Sequence, residues 1–329
     1  MLPSLDVVVV NWNGGRLLHD CIESVGAIHD HRFELRRVVV VDNGSSDGSM
    51  DGLEWLDSRV EVIRSRRNLG FAAACNRGAI GSTADYLLFL NPDTRVTADA
   101  LARPVEYLAS PSGRDVGIVG PRLVDDEGAT SRSCARFPTP AMFVSVVLGL
   151  NRLFPRRWPS HVMSEWDHRD TRQVEHVCGA FYAVRRLLFQ ALDGFDERFF
   201  LYLEDLDFSR RAALRGSRTM FLADAVVYHK GGGASQAVKA LRLGYALHSR
   251  ILYGYKHFPR RSATALAVGT LCVEPLIRLA HALGHLDGRE ITDVVLGYVR
   301  LWRRVLGDLW RHRGIQRWTQ IRTDTEGHG

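Results

Sequence analysis

Two acidic clusters, each closing an apolar run, stand out in this 329-residue chain as groups able to do chemistry. Leu87-Leu88-Phe89-Leu90-Asn91-Pro92-Asp93 reads as a buried strand that stops at a carboxylate. Phe199-Phe200-Leu201-Tyr202-Leu203-Glu204-Asp205-Leu206-Asp207 places three carboxylates within four positions. Acids in apolar surroundings are rare unless they are paired, bound to metal or used in catalysis. One cluster suits a clamp for a metal and a diphosphate, and the other suits a general base. Together they predict metal-assisted group transfer.

The elements that must position these groups alternate in type through the first half of the chain. The apolar run 5–10 ends at Asn11-Trp12-Asn13-Gly14-Gly15, and Leu17, Leu18, Cys21, Ile22 and Val25 then recur on one helical face. Val38-Val39-Val40-Val41 precedes the turn-and-cap cluster Asp42-Asn43-Gly44-Ser45-Ser46-Asp47-Gly48. Residues 60–63 form a short strand before Arg66-Arg67-Asn68-Leu69-Gly70-Phe71. Residues 72–79 form a helix of small residues, and residues 86–90 the next strand. Apolar strands separated by helices predict an α/β domain whose mostly parallel, Rossmann-like sheet is covered on both faces. Ligands of such sheets lie beyond the carboxyl ends of the strands. Polar clusters follow Val10, Val41 and Leu90, so three strand ends share one predicted crevice.

Composition narrows the partner. Hydrophobic content of 46% and charged content of 24% are ordinary globular values, while a net charge of +6 suits an anionic partner. That partner is a nucleotide, a phospholipid or a nucleic acid. Nearly all the positive charge is Arg, Lys occurring only at 230, 239 and 256. The arginines are scattered, with no helix-turn-helix, RNP-type or zinc pattern, which disfavours a nucleic-acid-binding module. A sugar-nucleotide pyrophosphorylase is a further rival, but residues 11–15 lack the Gly-rich, Arg/Lys-tipped phosphate loop it needs. Cys21, Cys75, Cys134, Cys178 and Cys272 are unpaired in spacing and odd in number, which predicts neither disulfides nor zinc but a reducing cytosol. No basic leader with a cleavage site precedes the first strand.

The ordered motifs Asn-Trp-Asn-Gly, Asp-Asn-Gly-Ser-Ser-Asp-Gly, Arg-Asn-Leu-Gly-Phe, Phe-Leu-Asn-Pro-Asp and Gly-Phe-Asp-Glu-Arg-Phe-Phe-Leu-Tyr-Leu-Glu-Asp-Leu-Asp-Phe resemble glycosyltransferase family 2. More narrowly they resemble its rhamnosyltransferase-like branch, which also carries segments like Gly117-Ile118-Val119-Gly120-Pro121-Arg122-Leu123 and Val177-Cys178-Gly179-Ala180-Phe181. The resemblance spans residues from about 5 to about 235. It implies a GT-A fold, a nucleotide-sugar donor, a divalent cation (Mg²⁺ or Mn²⁺) and inversion at the anomeric carbon. The donor it favours is dTDP-L-rhamnose, with a UDP-sugar as the alternative. The implied acceptor is a lipid-linked glycan or a polysaccharide of the cell envelope.

Site residues follow from the same match. Asp42 corresponds to the acid that reads the nucleotide base, although residues 42–48 equally read as a turn and helix cap. Asp93 matches the last acid of the family's Asp-x-Asp metal motif, with Asn91 in place of the first; Asn91-Pro92-Asp93 also suits a type I turn. His229, ending an apolar strand before Lys230 and the glycines 231–233, is the second implied metal ligand, and Lys230 a diphosphate contact. The donor-binding set is therefore Asn11, Asn13, Asp42, Asn68, Gly70, Asn76, Asn91 and Lys230. Asp205 is the implied base and Glu204 the fallback. Cys178, Gly179, Ala180 and Asp207 form the acceptor side, with Asp207 also placed to orient Arg210 or Arg211. Residues 124–175, rich in Arg, Pro and Trp, predict a lid or acceptor loop.

From about residue 234 helical patterns replace the alternation. In residues 294–311, at about 100° per residue, Val295, Tyr298, Val299, Trp302, Val305, Leu306, Leu309 and Trp310 fall on one face. Arg300, Arg303, Arg304, Asp308 and Arg311 fall on the other. This predicts an interfacial membrane anchor or a helix packed on the catalytic domain. Residues 263–286 are apolar but carry Glu274, Pro275 and Arg278, which predicts a bent, buried or re-entrant helix rather than a span. The expected organisation is a catalytic domain over 1–235, a helical extension over 236–319 and a disordered tail over 320–329. The expected location is cytoplasmic, peripheral on the inner face of the plasma membrane.

Overall fold

A computed structural model of the chain describes residues 2–231, 238–285 and 287–311, without the side chains of 309–311. The tail 320–329, and with it Gly232 and Gly233, lies outside the described residues. The chain divides into two compact units, one of residues 1–137, 162–200 and 204–234, the other of residues 138–161, 201–203 and 235–329.

The first unit is built on β1 (Ser4–Asn11), α1 (Arg16–Gly26), β2 (Glu34–Asp42), β3 (Val60–Arg64), α2 (Phe71–Ala79), β4 (Tyr86–Leu90), β5 (Thr94–Arg95), α3 (Ala98–Ala109) and β6 (Val116–Val124). It continues through β7 (Cys134–Ala135), and the second unit then takes α4 (Pro140–Val147) and α5 (Leu150–Leu153). The first unit resumes with β8 (Arg172–Val174), β9 (His176–Val177), β10 (Phe181–Arg185), α6 (Arg186–Ala191), α7 (Glu204–Leu214) and β11 (Arg218–His229). Among the described residues nine strands form one sheet in the order β3-β2-β1-β4-β10-β6-β11-β5, with β8 on β11. β1, β2, β3 and β4 pair in parallel, as do β6 and β11, whereas β10, β5 and β8 run antiparallel. The sheet is thus mostly parallel and doubly covered, as the apolar runs predict.

Alternation along β1 shows why four consecutive valines suit this position. Val7 and Val9 enter one core cluster with α1 and α3, while Val8 and Val10 enter the other with α2. β-branched side chains fill both faces of a strand that has no solvent side. Register then places the polar residues. Asn11 is opposite Asp42 and Val9 is opposite Leu90, so the ends of β1, β2 and β4 share the carboxyl edge of the sheet.

The second unit is helical: α8 (Lys239–His257), α9 (Arg260–Val268), a π-helical turn (Gly269–Val273), α10 (Glu274–Gly284) and α11 (Gly288–Arg311). The stretch 124–175, expected to be a lid or acceptor loop, contains α4 and α5, and residues 138–161 belong to this unit. Among the described residues Arg260–Gly284 is long and apolar enough to cross a membrane by length and composition. Its Glu274 is buried and accepts from Arg250 and, at 2.8 Å, from Arg278. Burying that acid unpaired is costly, and two guanidiniums meet the cost inside the unit. In α11, Tyr298 and Leu301 pack inward, while Val295, Trp302 and Leu306 are exposed. The single apolar face predicted for this helix is therefore split between a packed seam and an open stripe.

Candidate active site

The carboxyl edge brings Asp93 and His229 together. β5 pairs with the end of β11, setting His229 against Thr94, and the Lys230 amide donates to the Asp93 carbonyl at 3.0 Å. His229 Nε2 then lies 3.3 Å from Asp93 Oδ1. Neighbouring ligands of an octahedral ion bound at 2.0–2.1 Å sit about 3 Å apart, so this pair fits one edge of such a shell. Among the described residues no group of three His, Cys, Asp or Glu side chains clusters as a complete cage.

The second acidic cluster opens α7 and is tied to the first by the bridge Cys178-Gly179-Ala180. The Gly179 amide donates to Asp205 Oδ2 at 2.7 Å, and the Ala180 carbonyl accepts from the Asn91 amide at 2.9 Å. A Cβ at Gly179 would stand 2.8 Å from Asp205 Oδ2, so any larger residue must shift that carboxylate. Asp205 Oδ1 accepts from the Leu206 amide at 2.8 Å, so both carboxylate oxygens are fixed at the helix N-terminus. Cys178 donates its amide to the Ser133 carbonyl, and burial pushes its thiol up to about 12, which keeps it protonated and inert.

Environment separates the three acids. Glu204 is buried with Oε2 lacking a partner among the described residues, and burial, helped by the Asp205 charge, raises its pKa well above the ordinary carboxyl range. Asp207 is fully buried, and its Oδ2 accepts from Arg211 Nε at 2.8 Å across one helical turn. Arg211 goes on to the carbonyls of Leu192 and Gly194. Asp207 therefore ties α7 to Arg211, one of the two arginines it was expected to orient.

Several of the residues predicted to bind the donor also hydrogen-bond within and between loops. Asn11 is fully buried; its amide nitrogen donates to Ser45 and Ser49, and its oxygen accepts from the Gly14 amide. Asn13 accepts from the Ser46 amide, knitting the loop after β1 to the loop after β2. Asn68 accepts from the Gly70 amide, and Gly70, at φ +90°, lets the Phe200 carbonyl approach, where a Cβ would stand 2.5 Å from that oxygen. Asn76 spends its amide on both backbone groups of Phe195 and on Glu197. Asn11, Asn68, Gly70 and Asn76 thus each brace the loops around the carboxyl edge. Asp42, buried, caps the Ser45 amide through Oδ1, and Asn91 and the exposed Lys230 stand beside Asp93.

His176 escaped the sequence reading. Its Nε2 is 3.6 Å from Asp205 Oδ2, its Nδ1 is 3.0 Å from Ser209 Oγ, and Ser209 meets the Tyr182 hydroxyl at 2.8 Å. Burial lowers the His176 pKa, so the ring is neutral at pH 7 and supports the carboxylate without an ion pair. Asn43, also missed, grips the backbone of Leu69 and Gly70.

At the carboxyl edge of this doubly wound sheet, a three-residue bridge thus joins the Asn91–Asp93 segment to Asp205. The chain belongs to glycosyl transferase family 2, whose model matches residues 6–192, and it is a glycosyltransferase with a GT-A fold extended by C-terminal helices. It is 26% identical over 246 residues to the N-acetylglucosaminyl-diphospho-decaprenol L-rhamnosyltransferase of Mycobacterium tuberculosis, covering 70% of this chain and 76% of that protein. It is 26% identical over 225 residues to rhamnosyltransferase WbbL of Escherichia coli, covering 66% and 79%. Among solved structures, mannosyltransferase PcManGT of Pyrobaculum calidifontis, in complex with GDP-Man and Mn²⁺, shares the fold. Its TM-score is 0.52 at 19% identity, covering 95% of this chain and 88% of that one.

Proposed function

We propose that this chain is an inverting, metal-dependent hexosyltransferase that moves L-rhamnose from dTDP-L-rhamnose to a hydroxyl of a lipid-linked glycan in cell-envelope synthesis. The observation that carries this reading is the bridge 178–180, which holds Asp205 at one end and the Asn91–Asp93 segment at the other. A base and a diphosphate clamp are the two parts that an inverting sugar transfer needs. The acceptor hydroxyl attacks the anomeric carbon from the face opposite the nucleotide diphosphate, its oxygen bonding to that carbon as the bond to the diphosphate breaks. Asp205 takes the hydroxyl proton. Asp93 and His229, 3.3 Å apart, would hold the cation. A bound divalent cation neutralises charge on the departing diphosphate. Asp42 at the end of β2 accepts the imide N–H of the base, and Lys230 stands by the phosphates. The relatives named for rhamnosyl transfer favour rhamnose over the UDP-sugar alternative.

A thermal-shift series tests the donor side. At about a hundred times its Kd a ligand adds about 2.7 kcal/mol to stability, enough for a rise of several degrees. dTDP with Mn²⁺ should raise Tm more than UDP or GDP does, and dTDP with a chelator should not. A larger rise with UDP discards rhamnose, and no rise with any nucleotide removes the donor site.

We further propose that the helical extension lies on the cytoplasmic face of the plasma membrane. Leu276 and Leu283 on α10 and Trp302 and Leu306 on α11 are exposed, and Trp302 Nε1 reaches the Leu271 carbonyl at 3.3 Å, so the two apolar stripes adjoin. Exposed Arg260, Arg261 and Arg303 supply positive charge for anionic headgroups. The protein should sediment with anionic vesicles, and Leu276→Asp with Trp302→Asp should leave it in the supernatant at unchanged Tm. A wild-type chain that stays in the supernatant refutes the anchor.

A further inference from the structure

A cavity of about 420 Å³ lies within the helical unit, lined by Tyr202, Lys239, Arg242, Leu243 and Ala246. Lys239, Arg242, Leu243 and Ala246 follow the i, i+3, i+4, i+7 spacing of one helical face at the start of α8. That face joins two cations to an apolar floor. Arg242 Nε donates to the Tyr202 hydroxyl at 2.8 Å, which fixes the plane of the guanidinium. Among the described residues neither cation makes an ion pair. Asp287 feels the Lys239 charge, but its Oδ1 already serves the amides of Arg289 and Glu290 at 2.9 and 3.1 Å. Like charges one turn apart on a helix repel.

The segment that brings Tyr202 to the cavity is held in an uncommon conformation. Tyr202 and Leu203 have φ of +70° and +66°, a left-handed pair with no glycine. Residues persist there when surrounding contacts over-determine them, and such positions concentrate at ligand clamps. Here the contacts are the Ser249 hydroxyl on the Leu201 carbonyl at 2.8 Å and Arg242 on Tyr202. The next residues in the chain are Glu204 and Asp205.

We propose that this cavity binds the diphosphate of the lipid-linked acceptor. The inference rests on the acceptor class proposed above. A guanidinium fixed by a hydroxyl, with an ammonium one turn away, matches adjacent phosphate groups. Leu243 and Ala246 supply the apolar surface that the first carbons of a lipid chain need. The donor's own diphosphate has a separate reader in Asp93, His229 and the cation, so the two phosphate sites differ in dependence on metal.

That difference gives the test. Binding of farnesyl diphosphate, inorganic diphosphate and farnesol to the full-length chain is measured by calorimetry in a chelator, which disables the metal-dependent site. Farnesyl diphosphate should bind, and both other probes should bind at least tenfold more weakly. Lys239→Glu with Arg242→Glu should reduce farnesyl diphosphate affinity at least tenfold, and the milder Tyr202→Phe should reduce it less. Both variants should keep the Mn²⁺-dependent nucleotide shift, which shows that they are folded and that the donor reading stands independently. Equal affinity in the charge-reversed and Tyr202→Phe variants and the wild type overturns the proposal. Inorganic diphosphate binding as tightly as farnesyl diphosphate also overturns it, leaving a free-phosphate site.

Discussion

Asp205→Asn should lower kcat by about a thousandfold, within the range that a positioned base contributes, while the metal-dependent nucleotide shift remains. The substitution keeps the shape of the side chain and removes its capacity to take a proton. It also removes one acceptor, because Oδ2 and Oδ1 now serve the amides of Gly179 and Leu206 and an amide side chain offers a single oxygen. One lost hydrogen bond costs about 1 kcal/mol, so activity is to be compared well below Tm. Glu204→Gln is the control that separates the neighbours. Burial keeps the Glu204 carboxyl protonated above the usual range, so the neutral amide should reproduce it and retain turnover within about tenfold. Gly179→Ala should act like a partial Asp205 lesion, since its Cβ must displace the carboxylate or be displaced by it. If Glu204→Gln silences the enzyme and Asp205→Asn does not, the base is Glu204.

The same particulars show how much of the molecule was legible in the sequence. Valine runs ending in polar clusters announced β1, β2 and β4 and the edge they share, because a strand buried on both faces has to be apolar throughout. The antiparallel insertion of β10 left no such mark, since Phe181–Arg185 has the same composition in either direction. A polar residue at a strand end can turn to a ligand or to the neighbouring loop, and spacing does not distinguish the two. Asn11 and Asn76 turned to loops, while Asp93 turned to His229. Asp207 carried its answer locally, four residues before Arg211, a separation at which helical side chains meet. His176 had no local signal at all. Its partners Tyr182, Asp205 and Ser209 come from β10 and α7, and only the tertiary fold assembles them. The recruitment of residues 138–161 by the helical unit is equally long-range.

Asp93→Ala and His229→Ala should each weaken Mn²⁺-dependent nucleotide binding at least tenfold, as loss of metal-site support commonly does. The double variant should be little worse than the more damaged single one. Two ligands that share one ion are coupled, so once either is gone the ion is poorly held and the second substitution has little left to remove. Side chains that merely lined the pocket would instead give effects that add. Truncation at Asp93 leaves its carbonyl to accept from the Lys230 amide, so the β5–β11 junction survives and the loss reads on the carboxylate alone. In chelator, wild type and variants should bind nucleotide equally weakly, because the difference between them is the metal. Asn91 in place of a first acid leaves one carboxylate in this motif, and Mg²⁺ or Mn²⁺ held by it would draw on substrate phosphate oxygens as well. The cation alone should therefore leave Tm unchanged, and nucleotide and cation together should raise it beyond the sum of their separate effects. Calorimetry that finds additive losses, or equal losses with and without Mn²⁺, removes Asp93 and His229 from the metal and assigns their pairing to the junction of β5 with β11.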